Sequence, residues 1–132
     1  SGSSKFVGVL NYAERPWKNG LFLMKAASSD CDVVTSLAAG GAQIVCFVTG
    51  VGTPTGFPGV PVLKITGNSR TYYKMEDDID INAGGVIDGE ITFHQIGEKI
   101  YKEIIDIAEG KTTKAELLGH DELWAIGRHE CY

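Results

Sequence analysis

Residues 49–56, Thr-Gly-Val-Gly-Thr-Pro-Thr-Gly, combine hydroxyls with glycines in a pattern suited to a small anionic or polyhydroxylated ligand. Glycine has no Cβ, so backbone N–H groups can approach a carboxylate oxygen closely, and threonine hydroxyls add donors and acceptors. A second polar group, Thr66-Gly67-Asn68-Ser69-Arg70-Thr71, follows the apolar segment Val60-Pro61-Val62-Leu63-Lys64-Ile65. In a third, Ile79-Asp80-Ile81-Asn82-Ala83-Gly84, the alternation puts Asp80 and Asn82 on one strand face, an acceptor beside an amide donor. The candidate substrate-binding residues are Thr49, Gly50, Gly52, Thr53, Thr55, Asn68, Arg70, Asp80 and Asn82. Each polar group also has a structural reading. The Gly/Thr loop can be a strand-to-helix turn, Asn68 a helix cap, Asp80 a turn cap, and Asn82 a left-handed residue beside Gly84.

Other chemistry is sparse. His94, His120 and His129 are dispersed and none sits at ligand spacing from a carboxylate or cysteine, so no metal ligand and no catalytic residue is assigned. His94 reads as a surface or capping residue, and His129, near Cys131, as part of a tail. Asp77-Asp78 after Glu76 is either an acidic cradle or a solvated helix end. Neither GxGxxG nor GxxxxGK[ST] occurs, which disfavours a nucleotide site.

The elements that must position these loops follow from pattern. Ile44-Val45-Cys46-Phe47-Val48 is an unbroken apolar run, expected as a strand buried on both faces that empties into the Gly/Thr loop. Upstream, Phe6-Val7-Gly8-Val9-Leu10 is a strand or part of a helix, Glu14 to Gly20 a turn, and Leu21-Phe22-Leu23-Met24 a short buried strand. Ser29 is placed to cap a helix with Val33, Val34, Leu37 and Ala38 on one face, ended by Gly40-Gly41. Strand, helix and strand at this spacing predict a βαβ unit with parallel strands. A short helix is expected from about Ser69 to Glu76. A longer one runs from Thr92 to Glu109, with Phe93, Ile96, Ile100, Ile104 and Ile107 on one stripe, a Thr92/Gln95 capping box, and Gly110 as its stop. Residues 111–132 have weaker periodicity and are expected to pack as a tail. The fold class is α/β, a three-layer Rossmann-like domain with a mostly parallel sheet.

The chain has 132 residues, 43% of them hydrophobic, enough for one core but not for two ordinary domains. A net charge of −5 with scattered basic residues argues against a nucleic-acid surface or a polybasic membrane patch. Three cysteines, Cys31, Cys46 and Cys131, form an odd set without CxxC spacing, as expected of reduced cytoplasmic thiols. No apolar run reaches membrane-span length. Ser1-Gly2-Ser3-Ser4 reads as a cloning remnant, leaving residues 5–132 as the domain, which opens almost at once into a strand, like a piece of a longer protein.

Taken in order, Thr49-Gly50-Val51-Gly52-Thr53-Pro54, Lys64-Ile65-Thr66-Gly67-Asn68-Ser69 and Asp80-Ile81-Asn82-Ala83-Gly84 resemble the carboxyl-terminal part of the altronate/galactarate dehydratase family. Val7 to Glu14, Pro16 through Gly20-Leu21, and Glu122-Leu123-Trp124-Ala125-Ile126 extend the resemblance from about Phe6 to Gly127. It implies a hydro-lyase that converts an aldonate or aldarate to a 2-keto-3-deoxy acid, dependent on a divalent metal, iron(II) or manganese(II), in the full-length enzyme. It further implies that the remaining domains hold the metal and the general base, so that none is bound to this portion, which orients substrate or serves as a scaffold in a possible homo-oligomer. Trp17 and Trp124 would then be packing or interdomain residues. The family usually shows arginine where this chain has Val51, so a carboxylate-clamping guanidinium is absent there, and the charge could come from elsewhere, for example Arg70.

Overall fold

The computed structural model describes residues 3–26 and 28–122. Among them the order is β1 (Phe6–Leu10), β2 (Leu21–Met24), α1 (Asp30–Ala39), β3 (Val45–Thr49), β4 (Val62–Thr66), α2 (Ser69–Lys74), β5 (Ile81–Asn82), a 3₁₀ turn (Gly84–Val86), α3 (Phe93–Ala108) and α4 (Lys114–Leu118). The α/β class and the parallel pairing hold: β1 pairs with β2, and β3, β4 and β5 form a second sheet in that order, every pair parallel.

The β2–α1–β3 segment departs from the expected βαβ unit, because β2 and β3 lie in different sheets. The parallel neighbour of β3 is instead β4, reached by residues 50–61, a crossover with no helix or strand of its own. A crossover usually carries a helix that hydrogen-bonds its own backbone. This one must find partners among side chains.

Alternation along β4 sends Val62, Lys64 and Thr66 to one face of the larger sheet and Leu63 and Ile65 to the other. On the first face Val62 and Val45 pack with Val34 and Leu37 of α1. On the second, Leu63, Ile65 and Ile81 pack with Ile96, Ile100, Ile104 and Ile107 of α3. Helices thus cover both faces of β4, and all five of its residues are buried.

The other apolar strand, β3, is not buried throughout. Cys46 and Val48 are exposed because α3 covers β4 and β5 and leaves the β3 edge open. In α3 the capping box and the isoleucine stripe form as expected, but Phe93 is 83% exposed and stays off the core. Phe93 is the first residue of the helix, where a small angular offset carries a side chain off the packed face. Ser29 stands at the start of α1 with no side-chain cap bond, and the buried set there is Asp32, Val34, Thr35 and Ser36. The hydroxyls of Thr35 and Ser36 donate to Cys31 O and Val33 O of their own helix, which makes their burial tolerable. Within the expected tail, α4 has a capping box of its own, Thr113 with Glu116, and ends at the left-handed Gly119. Trp124, His129, Cys131 and the closing motif from Leu123 onward lie outside the described residues, as do Ser1 and Gly2.

Candidate functional site

Strand register brings the polar loops together. Thr49 is paired with Thr66, and Thr66 with Asn82, so the last residues of β3, β4 and β5 form one polar row on the same sheet face. In parallel α/β sheets the carboxyl ends of strands are where ligands gather. The next row inward is Phe47, Lys64 and Asp80: Phe47 is paired with Lys64, and the Asp80 N–H donates to Lys64 O at 3.0 Å.

The Gly/Thr loop is tied down at each step. Gly52 N–H donates to Thr49 Oγ1 at 3.0 Å, and Thr71 Oγ1 of α2 donates to Gly50 O at 2.9 Å. Gly52 has φ +88°, and a Cβ there would lie 2.3 Å from Met75 Sδ, so glycine is required by both conformation and space. Around Gly50 and Gly67 there is open space, and Val51 projects into solvent, 87% exposed. Thr53 and Thr55 face inward instead: they are buried, with their hydroxyl oxygens 2.8 Å apart. Thr55 Oγ1 also lies 3.7 Å from Cys31 Sγ of α1.

Asn68 caps α2, its Oδ1 accepting from Arg70 N at 3.0 Å and Thr71 N at 3.3 Å. Arg70 sits in the first turn of α2 with its side chain exposed. Asn82 Oδ1 accepts from Gly84 N at 2.9 Å, and its amide lies 3.4 Å from Ser69 Oγ, which donates to Asp88 Oδ2 at 2.6 Å. Asp80 lies one row inward of Asn82 on the same face, and its two oxygens accept backbone N–H groups, Oδ2 from Lys64 at 2.7 Å and Oδ1 from Lys114 at 2.9 Å. That carboxylate joins β4 to the start of α4.

Residues not singled out from sequence complete the site. Thr66 lies in the centre of the polar row, buried, with its Oγ1 accepting from Asn68 N at 3.2 Å. Lys64 is 0% exposed and donates from Nζ to Pro54 O at 2.8 Å. Burial pulls its ammonium below the usual lysine range, opposed by Asp78, Asp80 and Glu122. A polar residue in the middle of an apolar β4 was the available signal for Lys64.

At the end of the loop, Glu122 Oε2 accepts from Gly56 N at 3.1 Å and Oε1 lies 2.9 Å from His120 Nδ1. Burial acts to raise the Glu122 carboxyl, but these hydrogen bonds and His120 outweigh it and hold the group below the usual range. His120 Nε2 is 3.5 Å from Asp78 Oδ1. His94 is exposed beside Glu98 on α3. Among the described residues no three His, Cys, Asp or Glu side chains gather so as to hold a metal ion. That donor set does not fit a metal centre.

Compared with known proteins, residues 1–130 match the family model described as D-galactarate/altronate dehydratase, C-terminal. The chain belongs to this family. Among curated relatives of the dehydratase family, the galactarate dehydratase (L-threo-forming) of Escherichia coli K12 is 39% identical over 111 residues, 84% of this chain and 21% of that protein. The altronate dehydratase of the same organism is 40% identical over 113 residues, 86% of this chain and 22% of that protein. The (2R)-sulfolactate sulfo-lyase subunit beta of Chromohalobacter salexigens is 38% identical over 115 residues, 87% of this chain and 30% of that protein. The chain therefore spans less than a third of the length of the curated relatives it matches.

Proposed function

We propose that this chain is the carboxyl-terminal part of a lyase that eliminates a leaving group from a hydroxy acid, with water leaving an aldonate or aldarate such as D-altronate as the favoured reaction. The observation that carries the reading is the row Thr49, Thr66 and Asn82 at three adjacent strand ends, flanked by the open backbone of Gly50 and Gly67. Elimination next to a carboxylate requires removal of a weakly acidic proton and departure of an anion, and both steps build negative charge. Backbone N–H groups and hydroxyls at the strand ends would orient the acid and bear part of that charge. The exposed Arg70 would supply a cation beside them.

The general base and the ligands of an iron(II) or manganese(II) ion belong, in this reading, to the rest of the enzyme, since the described residues offer no fitting donor set. A product 2-keto-3-deoxy acid, a cytoplasmic location, and partners limited to the acid, the remaining domains and further copies of the enzyme complete the proposal. No described helix is long and apolar enough to cross a membrane.

The test is a titration of the 15N-labelled chain with altronate, galactarate and sulfolactate in the presence of Mg2+, read by amide shifts. Saturable shifts confined to residues 49–56, 66–71 and 82–88 support the reading, and the acid that binds tightest indicates the leaving group. Unmoved resonances in all three loops would reject it. A scaffold or oligomerisation role is the second reading. It is favoured by the exposed apolar residues Phe6, Val9, Leu21 and Leu23 of the small parallel sheet, which has one face uncovered. Leu23→Glu in the full-length enzyme would then disrupt assembly while leaving the loop shifts intact.

A further inference from the structure

Lys64 is the largest fully buried side chain among the described residues, and the substrate reading above makes no use of it. Placing an ammonium inside a protein is costly, and a methionine of similar length would avoid that cost. Among the described residues the single hydrogen bond of its ammonium goes to Pro54 O, at 2.8 Å. The charged groups around it are Asp78, Asp80 and Glu122, with Lys114 opposing them, and none of the carboxylates closes to an ion pair.

Pro54 lies midway along the one crossover in the larger sheet that lacks a helix, so its carbonyl has no ladder partner. A carbonyl without a ladder partner must find its donor elsewhere, and the buried Lys64 ammonium supplies one to Pro54, itself an exposed residue. Two residues on, Glu122 holds Gly56 N–H, and a Cβ on Gly56 would lie 2.2 Å from the His120 carbonyl oxygen. The loop is held at residue 54 by Lys64 and at residue 56 by Glu122. Gly50 and Val51 are exposed, and Gly52 N–H is bonded back to Thr49 Oγ1, the first member of the row of Thr49, Thr66 and Asn82.

We propose that Lys64 is a positioning residue: by holding the Pro54 carbonyl, its buried ammonium fixes the Gly/Thr loop over the carboxyl ends of β3, β4 and β5 in the shape that presents Gly50 to Gly52 to the acid. This rests on the reading of those strand ends as the substrate site. The lysine acts through the loop and does not touch the ligand.

The experiment compares the 132-residue chain with its Lys64→Met variant by amide hydrogen exchange. Loss of one such bond quickens exchange of the Thr55 and Gly56 amides by about tenfold or more, while the β3–β4 ladder amides keep their rates. Galactarate binding weakens by a similar factor. Unchanged loop exchange in a folded Lys64→Met protein overturns the proposal.

If that variant does not fold, the wild-type chain decides. The Lys64 13Cε resonance and the Thr55 and Gly56 amide shifts must then inflect together, at a pH below the ~10.4 of a free lysine. Separate inflections, or none in the loop, overturn the proposal equally. Faster loop exchange with no sugar acid shifting the wild-type loop would leave the latch standing and reject the substrate reading instead.

Discussion

Replacing Asp80 with asparagine tests whether this carboxylate is a structural joint or a ligand group. Its oxygens accept from Lys64 N at 2.7 Å and Lys114 N at 2.9 Å, tying β4 to α4. It also faces the buried Lys64 ammonium, whose charge it helps to offset. Hydrogen bonds to a charged acceptor contribute about 1.5–3 kcal/mol each. Asparagine keeps one oxygen, so one N–H retains a weaker neutral partner while the other meets an NH2 group and is left unpaired. The expected loss is about 2–4 kcal/mol, with the weakened compensation of Lys64 pushing toward the upper end. For a chain of this length that corresponds to a fall in Tm of roughly 10 °C. Thermal and urea unfolding followed by circular dichroism would measure it. In the double variant with Lys64→Met the two losses should be less than additive, because the charge that Asp80 offsets is gone. A stability within about 0.5 kcal/mol of wild type, together with weakened acid binding, would refute the structural assignment and return Asp80 to the ligand.

Three further expectations can be checked with the same chain. Phe93→Ala should change stability by less than about 0.5 kcal/mol, because the ring is exposed, whereas Ile96→Ala, in the packed stripe, should cost about 2–4 kcal/mol in urea unfolding. Gly56→Ala should cost about 1–3 kcal/mol and release the Glu122 contact, seen as faster exchange of the residue 56 amide, because its Cβ would meet the His120 backbone at 2.2 Å. Since the Glu122 carboxyl is held below its ordinary value, its grip on Gly56 is fully present above the unfolded glutamate pKa of about 4.3 and is lost as pH falls through the lower folded value. Slowed Gly56 exchange relative to Glu122→Gln should therefore persist at neutral pH and vanish in that acid range; a difference that persists at lower pH would contradict the assignment.

Much of the local structure was legible because its causes are local. Thr92 with Gln95 marks the start of α3, Gly110 follows its end, and Asn68 caps α2, each through hydrogen bonds spanning a few residues. α4 carried the same signal in Thr113 and Glu116, but its five residues are too few for periodicity to stand out. The strand-then-polar-loop design of the candidate site was also readable. Its convergence in one row follows from parallel pairing of β3, β4 and β5.

What the amino-acid order determined by itself was which residues share a face and where the elements begin and end, because side-chain period and capping depend on neighbours along the chain. Which faces are covered was decided by tertiary packing. Periodicity could not show that α3 shields β4 and β5 but leaves Cys46 and Val48 of β3 exposed, that Thr53 and Thr55 turn inward, or that Asp80 joins two distant backbones. It also could not show that the ammonium of Lys64 is buried beneath its own crossover loop. Burial depends on what arrives from elsewhere in the chain, and the partners of Lys64 come from residues 54, 78, 80 and 122, brought together only when the sheet has formed.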